Sequence, residues 1–210
     1  MKLTKKFVDE ALANTLWDVG NQALYNLCRR NPSHNRNDVI TAKIWLSGRA
    51  YSAAIERRPD TKGITGDRFY GDVVAPRLRQ SQIDQWLGRV RSGPVNARTQ
   101  EALRAHKSLT DLFEDITGLR KASLASKYLH FHVPSAFFIF DSRARAAIRA
   151  LPESAPDADT PALAEGSCDR EYASFYLRCL TLTTLIEVRT RKRLSPRELD
   201  KVLLATFEAI

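Results

Sequence analysis

Cysteine is scarce: Cys28, Cys168 and Cys179 are the only three in 210 residues, and no two form a C-x-x-C pair. An odd set without such pairing supports neither a disulfide framework nor a zinc ribbon, and the three read as buried thiols. Long apolar runs are missing as well. The strongest, Ala136-Phe137-Phe138-Ile139-Phe140, falls far short of the roughly 18 residues a membrane helix needs. Asp9 and Glu10 follow Lys5 and Lys6 and interrupt any signal-peptide core, so a soluble, cytoplasmic protein with no membrane partner is expected. With nine glycines and nine prolines the chain is neither collagen-like nor of low complexity. Period-two alternation is never sustained, which removes the case for a sheet.

What is present is a foldable chain, 43% apolar and 27% charged, whose 33 Lys and Arg outweigh 24 Asp and Glu to leave a formal charge of +9. That excess makes a polyanion the default partner, because basic side chains that neutralise phosphates release counterions. The basic residues are spread as Arg77, Arg79, Arg89 and Arg91, then Arg143, Arg145 and Arg149, then Arg189, Arg191, Lys192 and Arg193. This pattern resembles a charged face on a globular body, not a basic tail.

Apolar residues recur at helical spacing along most of the chain. Val8, Leu12, Leu16, Val19, Ala23 and Leu27 predict one helix from Lys5 to Arg29, with Trp17 and Tyr25 on its buried side. Ile40, Ile44, Ala50, Ala54 and Ile55 predict a second from Val39 to Arg57, ended by Pro59 to Gly66. A third stretch runs from Asp67 through Leu87, kinked or restarted at Pro76 and closed by Ser92-Gly93-Pro94. Asn96 is placed to cap Ala97 to Ile116, and a short helix follows from Lys121 to His132. Asp141 then caps Ser142 to Leu151, and Pro152 to Cys168 forms the longest loop. Arg170 to Thr190 and a helix opened by the capping box Ser195-Pro196-Arg197-Glu198 complete the chain. The expectation is an all-α fold of about eight helices.

The stretch from Ile116 to Ala144 contains Gly118-Leu119-Arg120, the helical Ala125-Ser126-Lys127-Tyr128-Leu129 and the apolar Phe138-Ile139-Phe140 ending in Asp141. It resembles the helix-hairpin-helix DNA glycosylases, especially the 8-oxoguanine DNA glycosylase-like branch. The resemblance implies a single glycosylase-like helical domain over 1–210, with lobes of 1–36 plus 152–210 and of 37–151. Its function would be to flip a damaged or modified base out of double-stranded DNA and hydrolyse the N-glycosidic bond. The hairpin is degenerate, since the family prefers two glycines and this chain offers Gly118 alone. Aligning Asp141 places the family's nucleophilic lysine at Ser123, with Lys121 and Lys127 close by. A monofunctional enzyme relying on Asp141 is therefore expected ahead of an imine-forming lyase.

A fixed carboxylate suits this chemistry because the departing base leaves positive charge on the sugar. An attacking lysine needs a depressed pKa, which Lys121 beside Arg120, or Lys127, could supply. The base pocket would draw on Trp45, Tyr51, Ser123, Tyr128 and Phe137, because a flipped base needs apolar or aromatic walls. Phosphate contacts are expected from Thr117, Gly118, Arg120, Lys121 and Arg143. No redox cofactor or catalytic metal is implied, although family analogy allows a monovalent cation at the hairpin backbone. Two rivals stand beside this reading: a non-catalytic helical nucleic-acid-binding or partner-binding protein, and a nuclease using His130, His132 and Asp141. Oxidised, alkylated and bulky viral-type modified bases are equally compatible with the sequence, and the last would suit a role in antiviral defence as well as repair.

Overall fold

The computed structural model describes residues 3–57, 63–64, 66–155 and 166–210. The all-α expectation holds: no strand occurs among the described residues. The helices are more numerous and shorter than periodicity predicts, because three of the predicted stretches are broken.

The stretch predicted as one helix from Lys5 to Arg29 forms α1 (Lys5–Ala13) and α2 (Asp18–Arg30). Between them the Asn14 carboxamide oxygen accepts the Leu16 N–H at 3.1 Å, a local bond that competes with helix continuation. The break turns Trp17 outward to 64% exposure, where the unbroken periodicity placed it on the buried side. Helix α3 (Asn37–Ala50) stops well short of Arg57. The chain reverses there: Ser52 takes φ +53°, and the Ala53 N–H returns to the Gly48 carbonyl at 2.8 Å. A Cβ on Gly48 would lie 3.1 Å from the Ala54 Cα, so the lack of a side chain permits this tight return.

The third predicted stretch divides into α4 (Gly66–Arg68), a π-helical turn (Phe69–Val74), α5 (Ala75–Gln80) and α6 (Ile83–Ser92). Pro76, at the start of α5, has no N–H to give, and the wide turn lies immediately before it, with the Ala75 N–H reaching back to the Tyr70 carbonyl. Ser81 separates α5 from α6, its hydroxyl donating to the Leu78 carbonyl and accepting the Ile83 N–H. Helix α7 (Val95–Thr117) opens after Pro94, which puts Asn96 inside its first turn instead of at the cap. It closes at Gly118, whose φ of +71° is the left-handed conformation that favours glycine.

Beyond it come α8 (Ala122–His132), α9 (Ser142–Arg149), α10 (Arg170–Thr190) and α11 (Pro196–Glu208). The Ser195–Glu198 capping box forms as predicted, with both reciprocal bonds made. The expected long loop from Pro152 to Cys168 lies largely outside the described residues. All three cysteines are free; Cys28 and Cys179 are buried and Cys168 is half-buried. No described helix is long and apolar enough to cross a membrane.

Helix α8 is the hub. Every residue from Leu124 to His132 is buried, as expected of a helix covered on all sides. It packs on α2, α3 and α7, while α9 packs on α10 and α11 and α1 closes against α11. The extended Ala136–Phe140 segment is buried and leads from α8 to the first residue of α9.

Candidate active site

The backbone between Ala122 and Asp141 makes a stitched double limb. Ser126 on α8 accepts the Phe140 N–H at 3.0 Å and donates to the Ser123 carbonyl at 2.9 Å. One buried hydroxyl therefore ties the helix to the segment that ends in Asp141. Asp141 itself has extended backbone and caps α9, its Oδ1 accepting the Ala144 N–H at 3.0 Å. Its other oxygen, Oδ2, lies 3.4 Å from the ammonium of Lys127, whose side chain is only 2% exposed against 17% for Asp141.

Lys127 Nζ also donates to the Ser123 hydroxyl at 3.0 Å and to the Tyr51 carbonyl at 3.4 Å, and it sits 5.4 Å from the centre of the Tyr51 ring. Burial lowers the Lys127 pKa, opposed by the neighbouring Asp141 charge. The Tyr51 hydroxyl donates to Asn21 Oδ1 at 2.7 Å, bringing α2 into the same cluster. From α11 comes Asp200, which is 4% exposed and ion-paired with Arg197. Burial raises its pKa to about 6, against the pull of Arg197. Asp200 acts electrostatically on Lys127 as well, as does Arg143 from the first turn of α9.

The other candidates fall elsewhere. Tyr128 and Phe137 are fully buried and offer no surface to a flipped base. The Tyr128 hydroxyl lies 2.9 Å from His34 Nε2, and His34 Nδ1 lies 2.6 Å from Asp84. Trp45 is exposed on α3, with the Arg49 guanidinium 5.7 Å over its ring. Of the pocket candidates, Tyr51 and Ser123 are the two that touch the Lys127 ammonium.

The hairpin candidates have structural partners. Thr117 donates to the Phe113 carbonyl at 2.7 Å and accepts the Leu119 N–H at 3.1 Å. Arg120 pairs with Asp169 and with Glu114. Lys121 donates to the Arg57 carbonyl, and burial and the Arg57 charge lower its pKa. Arg143 is exposed. His130 Nδ1 lies 2.7 Å from the Phe137 carbonyl and its Nε2 lies 2.6 Å from the Tyr25 hydroxyl. His132 Nδ1 donates to the Tyr128 carbonyl at 2.8 Å. Both are buried, and among the described residues no three His, Cys, Asp or Glu side chains are grouped to hold a metal ion.

No family model matches this chain, nor does any curated protein or solved structure.

A desolvated amine beside a fixed carboxylate can do two things. The carboxylate can stabilise a developing cation, and the amine, once it has shed its proton, can attack an electrophilic carbon. Sequence reasoning did not anticipate Asn21, Arg197 and Asp200. Asp200 carried a usable signal, since it interrupts the apolar face of Leu199, Val202 and Leu203, and a carboxylate on a buried face needs a partner.

Proposed function

We propose that this protein is a DNA glycosylase that takes a damaged or modified base out of double-stranded DNA and cleaves its N-glycosidic bond, with Asp141 stabilising the cationic sugar. The observation that carries this reading is the buried contact between Lys127 and Asp141 at 3.4 Å. The excess of basic charge supports a nucleic-acid substrate. Repair and antiviral defence are both compatible with this activity.

The two-lobed layout belongs to the same proposal. Tyr51, Lys127 and Asp141 come from 37–151, whereas Asn21 comes from 1–36 and Arg197 and Asp200 from 152–210. A site assembled from both groups fits a cleft between lobes that grips a flipped nucleotide. The Gly118 turn between α7 and α8 would serve as the reduced hairpin.

In the hydrolytic route Asp141 faces the sugar and water completes the displacement. The nearness of Lys127 to Asp141 supports a second route, in which the incoming nucleotide must first uncover an amine that is 2% exposed. With the ammonium proton passed to Asp141, the free amine attacks the sugar C1′, the base leaves with the bonding electrons and one proton from the attacking nitrogen, and the C1′–O4′ bond breaks as C1′=N forms, O4′ taking the remaining nitrogen proton to give the imine. Lys127 is out of register with the family's lysine in the sequence, yet its amine lies beside the carboxylate in space.

The test is incubation of the purified protein with modified duplexes, with and without hot alkali, followed by borohydride trapping. Asp141→Asn should retain the fold, because Asn caps helices as well as Asp, and lose about a hundredfold or more in excision. Breaks that need alkali support the hydrolytic route; a borohydride-trapped adduct lost in Lys127→Gln supports the imine. Binding without excision across a broad panel of bases moves the reading to a non-catalytic DNA-binding protein.

A further inference from the structure

A second feature lies on the other flank of α9. Between α9 and α10 is a hollow of about 280 Å³ whose lining includes four arginines, Arg145, Arg149, Arg170 and Arg178, with Glu171 as the one carboxylate among its described residues. Arg145 and Arg149 are one turn apart on α9 and so share a face. Their helix has Asp141 at its N-cap, and Phe140, the residue before that cap, lies in the wall of the hollow.

The four guanidinium groups are not equally engaged. Arg145 lies 5.4 Å over the Phe140 ring and 3.3 Å from Glu171, whose side chain is 64% exposed. Arg178 donates from Nη2 to the Ile148 and Leu151 carbonyls at 2.8 and 3.2 Å, holding the C-terminal end of α9. Its buried Nε has no partner among the described residues. Arg149 and Arg170 are exposed, and neither forms an ion pair with any carboxylate of the described residues. Gathering like charges costs repulsion that one solvated carboxylate only partly relieves, and an anion among them would relieve the rest. Planar guanidinium forks match the oxygens of a phosphate in bidentate fashion. The volume is below the roughly 300–1,000 Å³ of drug-sized sites, which suits a single phosphate with bridging water.

We propose that the hollow between α9 and α10 is a phosphate-binding site, with Arg149 and Arg170 as its free donors and Arg145 released from Glu171 when the anion enters. The phosphate belongs either to a nucleic-acid backbone or to a free nucleotide. The assignment is independent of the chemistry ascribed to Lys127 and Asp141.

The test is titration calorimetry of the full chain with inorganic phosphate, with thymidine monophosphate and with a short undamaged duplex over a range of salt. The variants are Arg149→Gln with Arg170→Gln, their Lys counterparts, and Glu171→Gln; thermal melts confirm that the exposed changes leave the fold intact. The Gln pair should weaken binding about tenfold or more, the Lys pair should lose less, and Glu171→Gln should tighten it. Weakened binding of phosphate or the mononucleotide assigns a free ligand. If only the duplex responds, with its log–log salt slope reduced by about one to two, the ligand is the DNA backbone. Wild-type binding of none of the three probes, or binding that the Gln pair leaves unchanged, overturns the site. Excision is scored separately: Asp141→Asn should leave phosphate affinity unaltered, so failure of the glycosylase reading would not be confused with failure of this one.

Discussion

Lys127 bears most directly on the proposed function. Its ammonium has given up most of its water, and a buried ion pair is not a stabilising device by default, since desolvation can outweigh the attraction it regains. Lys127→Met keeps the volume and removes that cost, while Asp141 still caps α9 and remains 17% exposed. The expected outcome is a melting temperature within a few degrees of the parent, or above it, together with loss of excision. Circular dichroism melts and the alkali assay check the two halves, and a collapse of stability would show Lys127 to be a structural ion-pair partner instead. The N-cap position of Asp141 was legible in the sequence because the residue ends an apolar run and precedes a helix. Lys127 was legible only as a nearby cation. Its partner depends on how the chain returns from α8 through the Ala136–Phe140 segment, a path that spacing does not encode.

Among elements, the pairing of α8 with the Phe140 limb decides whether the carboxylate stays where the lysine can meet it. Ser126 holds that pairing with one hydroxyl, and the Phe140 N–H it accepts is buried. Removing the hydroxyl leaves a buried donor unsatisfied, a cost of about 1–3 kcal/mol. Ser126→Ala should therefore lower stability by that amount, measured by urea unfolding, and, on the proposed function, slow excision without abolishing it, because Lys127 and Asp141 both remain. Unchanged unfolding would mean that the limb is held by packing alone. Helix type was readable wherever the apolar period ran uninterrupted, as in α10 and α11. Boundaries failed where side chains offered the backbone another bond: Asn14 between α1 and α2, and Ser81 between α5 and α6. These short-range competitors do not alter hydrophobic periodicity, so the apolar pattern runs through them.

Across the whole molecule, the histidines set the response to acid. The chain has four, and all are buried: His34, His106, His130 and His132. Burial holds His34, His106 and His130 neutral down to about 4 and lowers His132 well below the ordinary range. In the unfolded chain each would titrate near 6.5, so as pH falls below that value the unfolded state binds protons that the folded state refuses. Stability present above pH 6.5 is then lost towards pH 4, at about 1.4 kcal/mol per pH unit for each histidine. Asp200 opposes this between its unfolded value and its folded value of about 6, because there the folded state holds a proton that the unfolded state releases. The net dependence in that window is thus close to three protons, about 4 kcal/mol per pH unit. Urea unfolding between pH 5 and 7.5 should show stability climbing steeply and levelling near neutrality. His106, stacked on Tyr172 with ring centres 3.6 Å apart, supplies the control. His106→Phe should reduce the slope by about one proton, because the ring remains and the titrating nitrogen is gone. A flat profile across pH 5 to 6.5, or a slope unchanged in that variant, would mean that the histidines take up protons while the chain is still folded, and that burial does not keep them neutral.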